Sequence, residues 1–277
     1  MTADHAETAG APSAGDLPGI RARLAALQDR DLPTHGGRTL AYVYDSGLAD
    51  VDELGREALA RFGASNGLDP TAFPSLLAME NDLVATAANL LDGAGAVGTV
   101  TSGGTESVLL AVLTARDAFP GTDRPQMVLP STAHAAFLKA AHYFGVEAVI
   151  VDVDPVTFRA DPASIRSAVT DSTVLVVASA PSYAHGVVDP VPELAAIAAE
   201  RGIRCHVAAC IGGWMLPFLP AQDRASVPAW TFAVPGVTSI SVDLHKYAYT
   251  PKGASLLLHR TPELRRPQYF AAANWPG

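Results

Sequence analysis

A lysine beside a histidine, Lys246 after His245, stands in the stretch Ser239-Ile240-Ser241-Val242-Asp243-Leu244-His245-Lys246-Tyr247-Ala248-Tyr249-Thr250-Pro251-Lys252-Gly253. The residues before it, from Gly236 to Val242, are apolar and β-branched and predict a strand aimed inward; Ala254 to His259 predicts a second one. A lysine carried by a strand end into a partly dry pocket loses its proton easily, which suits it to form a Schiff base with a carbonyl compound. On its own, such a residue reads as an ordinary solvated loop lysine. A second string, far upstream, changes that reading.

Thr101-Ser102-Gly103-Gly104-Thr105-Glu106-Ser107 leaves one predicted strand and enters one predicted helix. Two adjacent glycines let the backbone approach an anion, and a helix start offers unpaired N–H groups and the positive end of the dipole. Ser102, Thr105 and Ser107 add hydroxyls. No Gly-Lys-Ser/Thr follows, so this is not a Walker loop. A strand–Gly–Gly–helix turn is common by itself, but with a distant lysine it points to a phosphorylated cofactor that also forms an imine, pyridoxal 5′-phosphate. Gly93-Ala94-Gly95-Ala96-Val97-Gly98 also matches a dinucleotide fingerprint, G-x-G-x-x-G. There, however, a helix precedes and a strand follows, the reverse of what that site needs, so a plain helix-to-strand turn is expected.

Residues 1–16, rich in Ala, Gly, Thr and Ser, are expected to be a disordered tail, and 17–92 an N-terminal helical segment. Its helices are expected at 20–27, 52–62 and 75–91, separated by a break at 33–37 and by the turn-rich Asn66-Gly67-Leu68-Asp69-Pro70. From 93 to 277 the pattern is that of a cofactor-binding large domain. Strands are expected at 97–101, 126–130, 148–153, 174–178, 204–208, 237–242 and 254–259, with helices at 105–118, 135–144, 162–168 and 192–201. That alternation predicts an α/β fold with a mostly parallel seven-stranded sheet and helices on both faces. The last two strands have no helix between them, so one of that pair is expected to run antiparallel.

The 277 residues carry a net charge of −9, with 49% hydrophobic and 17% charged side chains. A globular body is expected, and the absence of a basic stripe argues against a nucleic-acid partner. Cys205 and Cys210 fall in a buried strand and its exit loop and read as reduced thiols. With no apolar run of about 18 residues and no signal pattern, the expectation is a cytoplasmic protein without a membrane segment.

Taken together, the motifs resemble the group II pyridoxal-phosphate decarboxylase family, and most closely its sphingosine-1-phosphate lyase branch. The resemblance rests on Asn66 to Pro70 with Phe73-Pro74, on Val100 to Ser107, on Ala133-His134-Ala135-Ala136-Phe137 and on His185-Gly186-Val187-Val188-Asp189-Pro190-Val191-Pro192. It rests further on Cys210-Ile211-Gly212-Gly213 and on Ser241 to Gly253. It implies the large domain of the fold type I transferases, working as a homodimer with sites at the interface. By the same resemblance Lys246 holds the cofactor as an internal aldimine, His245 is a phosphate ligand, and Gly103, Gly104 and Thr105 form the phosphate cradle. His134 is similar to the histidine that stacks on the pyridine ring, and Tyr249 and Lys252 are similar to residues near the substrate.

Two departures stand out. The family string His-Val-Asp-Ala reads His206-Val207-Ala208-Ala209 here, so alanine replaces the carboxylate that pairs with the pyridinium nitrogen. An ion pair at 4 Å contributes about 4 kcal/mol at an effective dielectric near 20, so its loss from a transition state would be roughly three decades of rate. No replacement carboxylate is read nearby, and the resemblance puts Asp243 on the other side of the cofactor. The second departure is length: the family continues past the Trp-x-Gly region into a small domain that is expected to be absent here, leaving apolar surface exposed. The expected function is a carbon–carbon lyase, either an amino-acid decarboxylase or an enzyme of retro-aldol cleavage on a phosphorylated amino alcohol, the latter favoured by the motifs. The alternative is a truncated or degenerate non-catalytic relative that binds the cofactor weakly or serves as a dimer partner.

Overall fold

A computed structural model describes residues 15–274, so most of the expected tail (1–14) and the terminal 275–277 lie outside the described residues. Contacts divide the described chain after Gly47 into two compact units. In the first, helix α1 (Leu17–Gln28) starts at Asp16, whose carboxylate accepts from the Gly19 amide and caps the first turn. Farther on in the same unit, the Asp45 carboxylate accepts the Gly36 and Gly47 amides and lies 3.5 Å from His35 Nδ1.

The second unit holds α2 (Ala49–Phe62), α3 (Pro74–Leu90), β1 (Val97–Thr101), α4 (Gly104–Asp117), β2 (Gln126–Pro130), α5 (Ala136–Phe144), β3 (Glu147–Val151), α6 (Pro162–Ala168) and β4 (Thr173–Ser179). It continues with α7 (Val191–Glu200), β5 (Arg204–Ala208), the short α8 (Ala221–Arg224), β6 (Ser239–Asp243), β7 (Ser255–His259) and the short α9 (Pro262–Arg265). The strands form one seven-stranded sheet in the order β1-β7-β6-β5-β4-β2-β3. β7 runs antiparallel to both β6 and β1, and the remaining pairings are parallel. The antiparallel pair is the one joined without a crossover helix, as its short connection requires.

Both faces of the sheet are covered, which explains strands that are apolar at nearly every position. In β4, Leu175 and Val177 point to the side of α4 and α5, where they meet Val108, Val112 and Phe137. Val176 and Ala178 point to the other side and join Ile165 of α6 and Val191 and Leu194 of α7. Each fully buried Leu, Ile or Phe contributes about 1.5–3 kcal/mol, so these two layers dominate the stability of the fold. α3, read from sequence as part of the segment 17–92, buries Ala87 and Leu91, at and just beyond its end, in that second layer. Gly93 to Ala96 form the plain turn between α3 and β1.

Neither cysteine forms a disulfide. Among the described residues no helix is long and apolar enough to cross a membrane. Some apolar side chains are exposed: α2 buries none of its residues, and Leu54, Leu59 and Leu68 are open to solvent.

Candidate active site

Six parallel strands leave their carboxyl ends on one edge of the sheet, where crevices of open α/β folds bind ligands. The residues just beyond β1, β2, β4, β5 and β6 line a cavity of about 370 Å³ there. That volume lies within the range of small-molecule sites, roughly 300–1,000 Å³.

Lys246 follows β6 by three residues, and its Nζ lies 3.0 Å from Asp243 Oδ2. Asp243 ends β6 and is buried. His245 turns its Nδ1 to accept the Ala254 amide at 3.1 Å, which leaves its Nε2 beside the cavity, 3.7 Å from Asp243 Oδ2. Burial holds this imidazole below the usual histidine range, although Asp243 opposes the shift, so near neutral pH the ring is uncharged and Nε2 carries the proton. His245 therefore presents an N–H donor rather than a cation.

The loop from Ser102 to Thr105 forms the facing wall. Gly103 has φ +151°, a conformation open only to glycine, and a Cβ on it would come 3.4 Å from His245 Cε1. α4 begins at Gly104, so the amides of Gly104, Thr105 and Glu106 have no carbonyl one turn back to bond. Glu106, at the third helical position, reaches back and accepts from both the amide and the hydroxyl of Ser102. Beneath the loop the hydroxyls of Thr101, Ser107 and Ser255 form a buried chain, at 2.8 and 2.9 Å.

His134 stands on the rim, its Nδ1 accepting the Ala136 amide at 3.1 Å and its ring set edge-on to Tyr183 at 6.4 Å. Burial, with the Lys246 charge, keeps His134 below the usual range and hence neutral. The floor is Ala208, the last residue of β5, flanked in register by Ser179 of β4 and Ser241 of β6. Cys210, just beyond, keeps its proton: burial and the neighbouring Asp243 push the thiol up to about 12. His206, two residues before Ala208, bonds the hydroxyls of Ser239 and Ser241 and is pushed down to about 3 by burial. The floor is thus electrically neutral. Among the described residues that line the cavity, the carboxylates are Glu106 and Asp243.

Gly103, Gly104, Thr105, His134, Ala208, His245 and Lys246 therefore share one cavity. Tyr249 and Lys252 do not line it. Tyr249 takes φ +56° and sets its ring edge-on to Tyr247, while Lys252 lines a separate hollow of about 360 Å³ between α2 and the loop 250–254. Sequence reasoning missed Glu106, Ser179, Tyr183, Cys210 and the place of Asp243 in the wall. For Glu106 a signal existed, an acidic residue in the first turn of a predicted helix.

A family model described as the pyridoxal-dependent decarboxylase conserved domain matches residues 35–269. The sphingosine-1-phosphate lyase of Dictyostelium discoideum is 44% identical over 233 residues, which cover 83% of this chain and 44% of that protein. The sphingosine-1-phosphate lyase of Saccharomyces cerevisiae is 37% identical, over 87% of this chain and 42% of that protein. Among solved structures, the sphingosine-1-phosphate lyase of Burkholderia pseudomallei superposes with a TM-score of 0.87 at 38% identity, covering 99% of this chain and 64% of that one. The glutamate decarboxylase of Lactobacillus brevis, at 22% identity and a TM-score of 0.78, shares the fold. The chain spans less than half the length of these curated relatives.

Proposed function

The chain belongs to the pyridoxal-dependent decarboxylase family, and on that premise we propose that it is a pyridoxal-phosphate-dependent carbon–carbon lyase with Lys246 as its reactive amine. The observation that carries the reading is one cavity lined at once by the Lys246 side chain, the helix-start loop 102–105 and His245. Their chemistry fits the cofactor of this family. The free amides at the start of α4 and the Nε2–H of His245 supply donors for a phosphate, and Gly103 leaves room for it. His134 is proposed to cover the ring from the rim, and Ala208 to lie under it. When bound, pyridoxal 5′-phosphate supplies a carbonyl for the lysine and an electron sink for a carbanion. The protein's part is to bind and orient: the amides and His245 fix the anionic end, and Lys246 holds its proton on the shared contact with Asp243.

Of the two reactions, retro-aldol cleavage of a phosphorylated amino alcohol is favoured by the likeness to sphingosine-1-phosphate lyases. Homodimerisation in the cytoplasm completes the proposal, supported by the exposed apolar side chains of α2. A second reading, cofactor binding without turnover, is favoured by one observation: Ala208 and its neighbours Ser179 and Ser241 offer no carboxylate to hold a pyridinium proton.

The test begins with an absorbance titration with pyridoxal 5′-phosphate, borohydride fixation and peptide mapping. Label on Lys246, and none in Lys246→Ala, supports the site; label elsewhere sinks it. Turnover assays with sphingoid-type phosphorylated amines and with amino acids then separate lyase from non-catalytic binder.

A further inference from the structure

Asp243 is 2% exposed, yet only one of its carboxylate oxygens is matched. Oδ2 meets Lys246 Nζ at 3.0 Å, whereas Oδ1 is buried without a hydrogen bond among the described residues, with the Cys210 thiol near the carboxylate. Both oxygens lie beneath the first turn of α4: a Cβ on Gly104 would stand 2.7 and 2.8 Å from them, and 2.9 Å from Cys210 Sγ. The absent side chain of Gly104 therefore makes room for this carboxylate at the positive end of a helix. An acceptor stripped of water and left unmatched is unfavourable in a purely structural ion pair. Oδ2, the oxygen that touches Nζ, is the one placed to take a proton from the amine.

We propose that Asp243 is a positioning residue for Lys246, holding its ammonium in the cavity and receiving its proton as the amine becomes a nucleophile. One proton passes from Nζ to the carboxylate, leaving a neutral amine and a neutral carboxyl, so the charge of the pair stays at zero. At rest the proton stays on Nζ, with the carboxylate as its counter-charge, and it passes to Oδ2 as the amine attacks. The inference rests on Lys246 being the reactive amine of the proposed function, and it holds whether or not the cofactor is loaded.

Other groups face the pair. His245 comes from the same loop, Lys252 from the next turn, His134 from the segment before α5, and Cys210 from beyond β5. Glu106 faces it from α4, with its carboxylate engaged by Ser102. Asp243 Oδ2 lies 3.0 Å from Nζ.

The test is reductive methylation of the cofactor-free full chain with formaldehyde and cyanoborohydride across pH, with Lys246 followed by peptide mass spectrometry. In Asp243→Asn the ammonium loses its counter-charge. The midpoint of Lys246 labelling should then move about one pH unit lower, so that labelling near pH 7 is about tenfold faster. Asp243→Glu should move it back. A profile in Asp243→Asn that superimposes on the wild type overturns the proposal. Circular dichroism checks that the variant folds, and Lys246→Met serves if it does not. That change leaves the carboxylate buried without its cation, so the variant should lose stability relative to the wild type, and more at pH 7 than at pH 4. The same pH dependence in Lys246→Met as in the wild type would overturn the proposal equally. Because formaldehyde needs no cofactor site, a chain that binds no pyridoxal phosphate but shows the shifted midpoint sinks the functional reading and supports the pair.

Discussion

Glu106 Oε2 accepts the amide of Ser102 at 2.6 Å and its hydroxyl at 2.7 Å, so a carboxylate braces the loop proposed to hold a phosphate. The brace and the anion pull in opposite directions. The bonds shape the loop, and the charge repels a phosphate. Glu106→Ala removes the brace, and at about 1 kcal/mol for a net hydrogen bond the affinity for pyridoxal phosphate should fall roughly fivefold. Glu106→Gln keeps an acceptor and removes the charge, so its affinity should equal or exceed the wild type. Absorbance titration of the three proteins checks both signs.

Gly104 carries a second expectation. Its Cβ position overlaps the Asp243 oxygens and the Cys210 sulfur, and Asp243 sits at a strand end that cannot swing away. Gly104→Ala should lower stability by about 1–3 kcal/mol through overpacking and weaken cofactor binding as well. Thermal melts with and without pyridoxal phosphate measure both effects. An unchanged melting temperature would mean that the loop yields freely.

Much of this was legible in the sequence, for physical reasons. β1, β2 and β5 begin and end where expected because apolar, β-branched runs there meet helix starts or turn residues at both ends. β6 starts at Ser239 rather than 237 because Val237 still bonds back to Val234 in a turn. The short α8 and α9, at four residues each, make barely one helical turn, too little for a repeating pattern to reveal them. Lys246 and the glycine loop were recognisable by residue type. Ser179, Tyr183 and Cys210 were not, because only the order of strands brings the ends of β4 and β5 beside Lys246. Tyr249 shows the converse: it takes a left-handed backbone and does not line the cavity, and no residue type announces that.

Acid should unfold this protein through two buried histidines. Burial pushes His206 down to about 3 and His259 to about 4, against an unfolded value near 6.5. The unfolded chain therefore binds more protons across that window, and stability falls as pH drops below about 6.5 toward 4. Asp189, whose buried carboxyl is pushed up, acts in the opposite sense, but it is one group against two. Urea midpoints from pH 7 to 4 should decline by an amount worth a few kcal/mol. His206→Asn, which cannot take up the proton, should remove about half of the slope; an unaltered slope would place the acid sensitivity elsewhere.

The neutral floor yields the sharpest test. Ala208 is 9% exposed between Ser179 and Ser241, so Ala208→Asp places a carboxylate in a partly buried spot between two serines. Without cofactor the variant should lose about 1–3 kcal/mol, and more at pH 7 than at pH 5, because burial raises the folded-state pKa of the new carboxyl. With pyridoxal phosphate bound, the ring nitrogen would bring a proton to that carboxylate and recover the loss. The rise in melting temperature on adding cofactor should therefore be larger in Ala208→Asp than in the wild type, and turnover, if limited by the electron sink, should gain up to roughly three decades. An equal rise in the two proteins would show that the ring does not lie over residue 208, and the proposed orientation of the cofactor would fall with it.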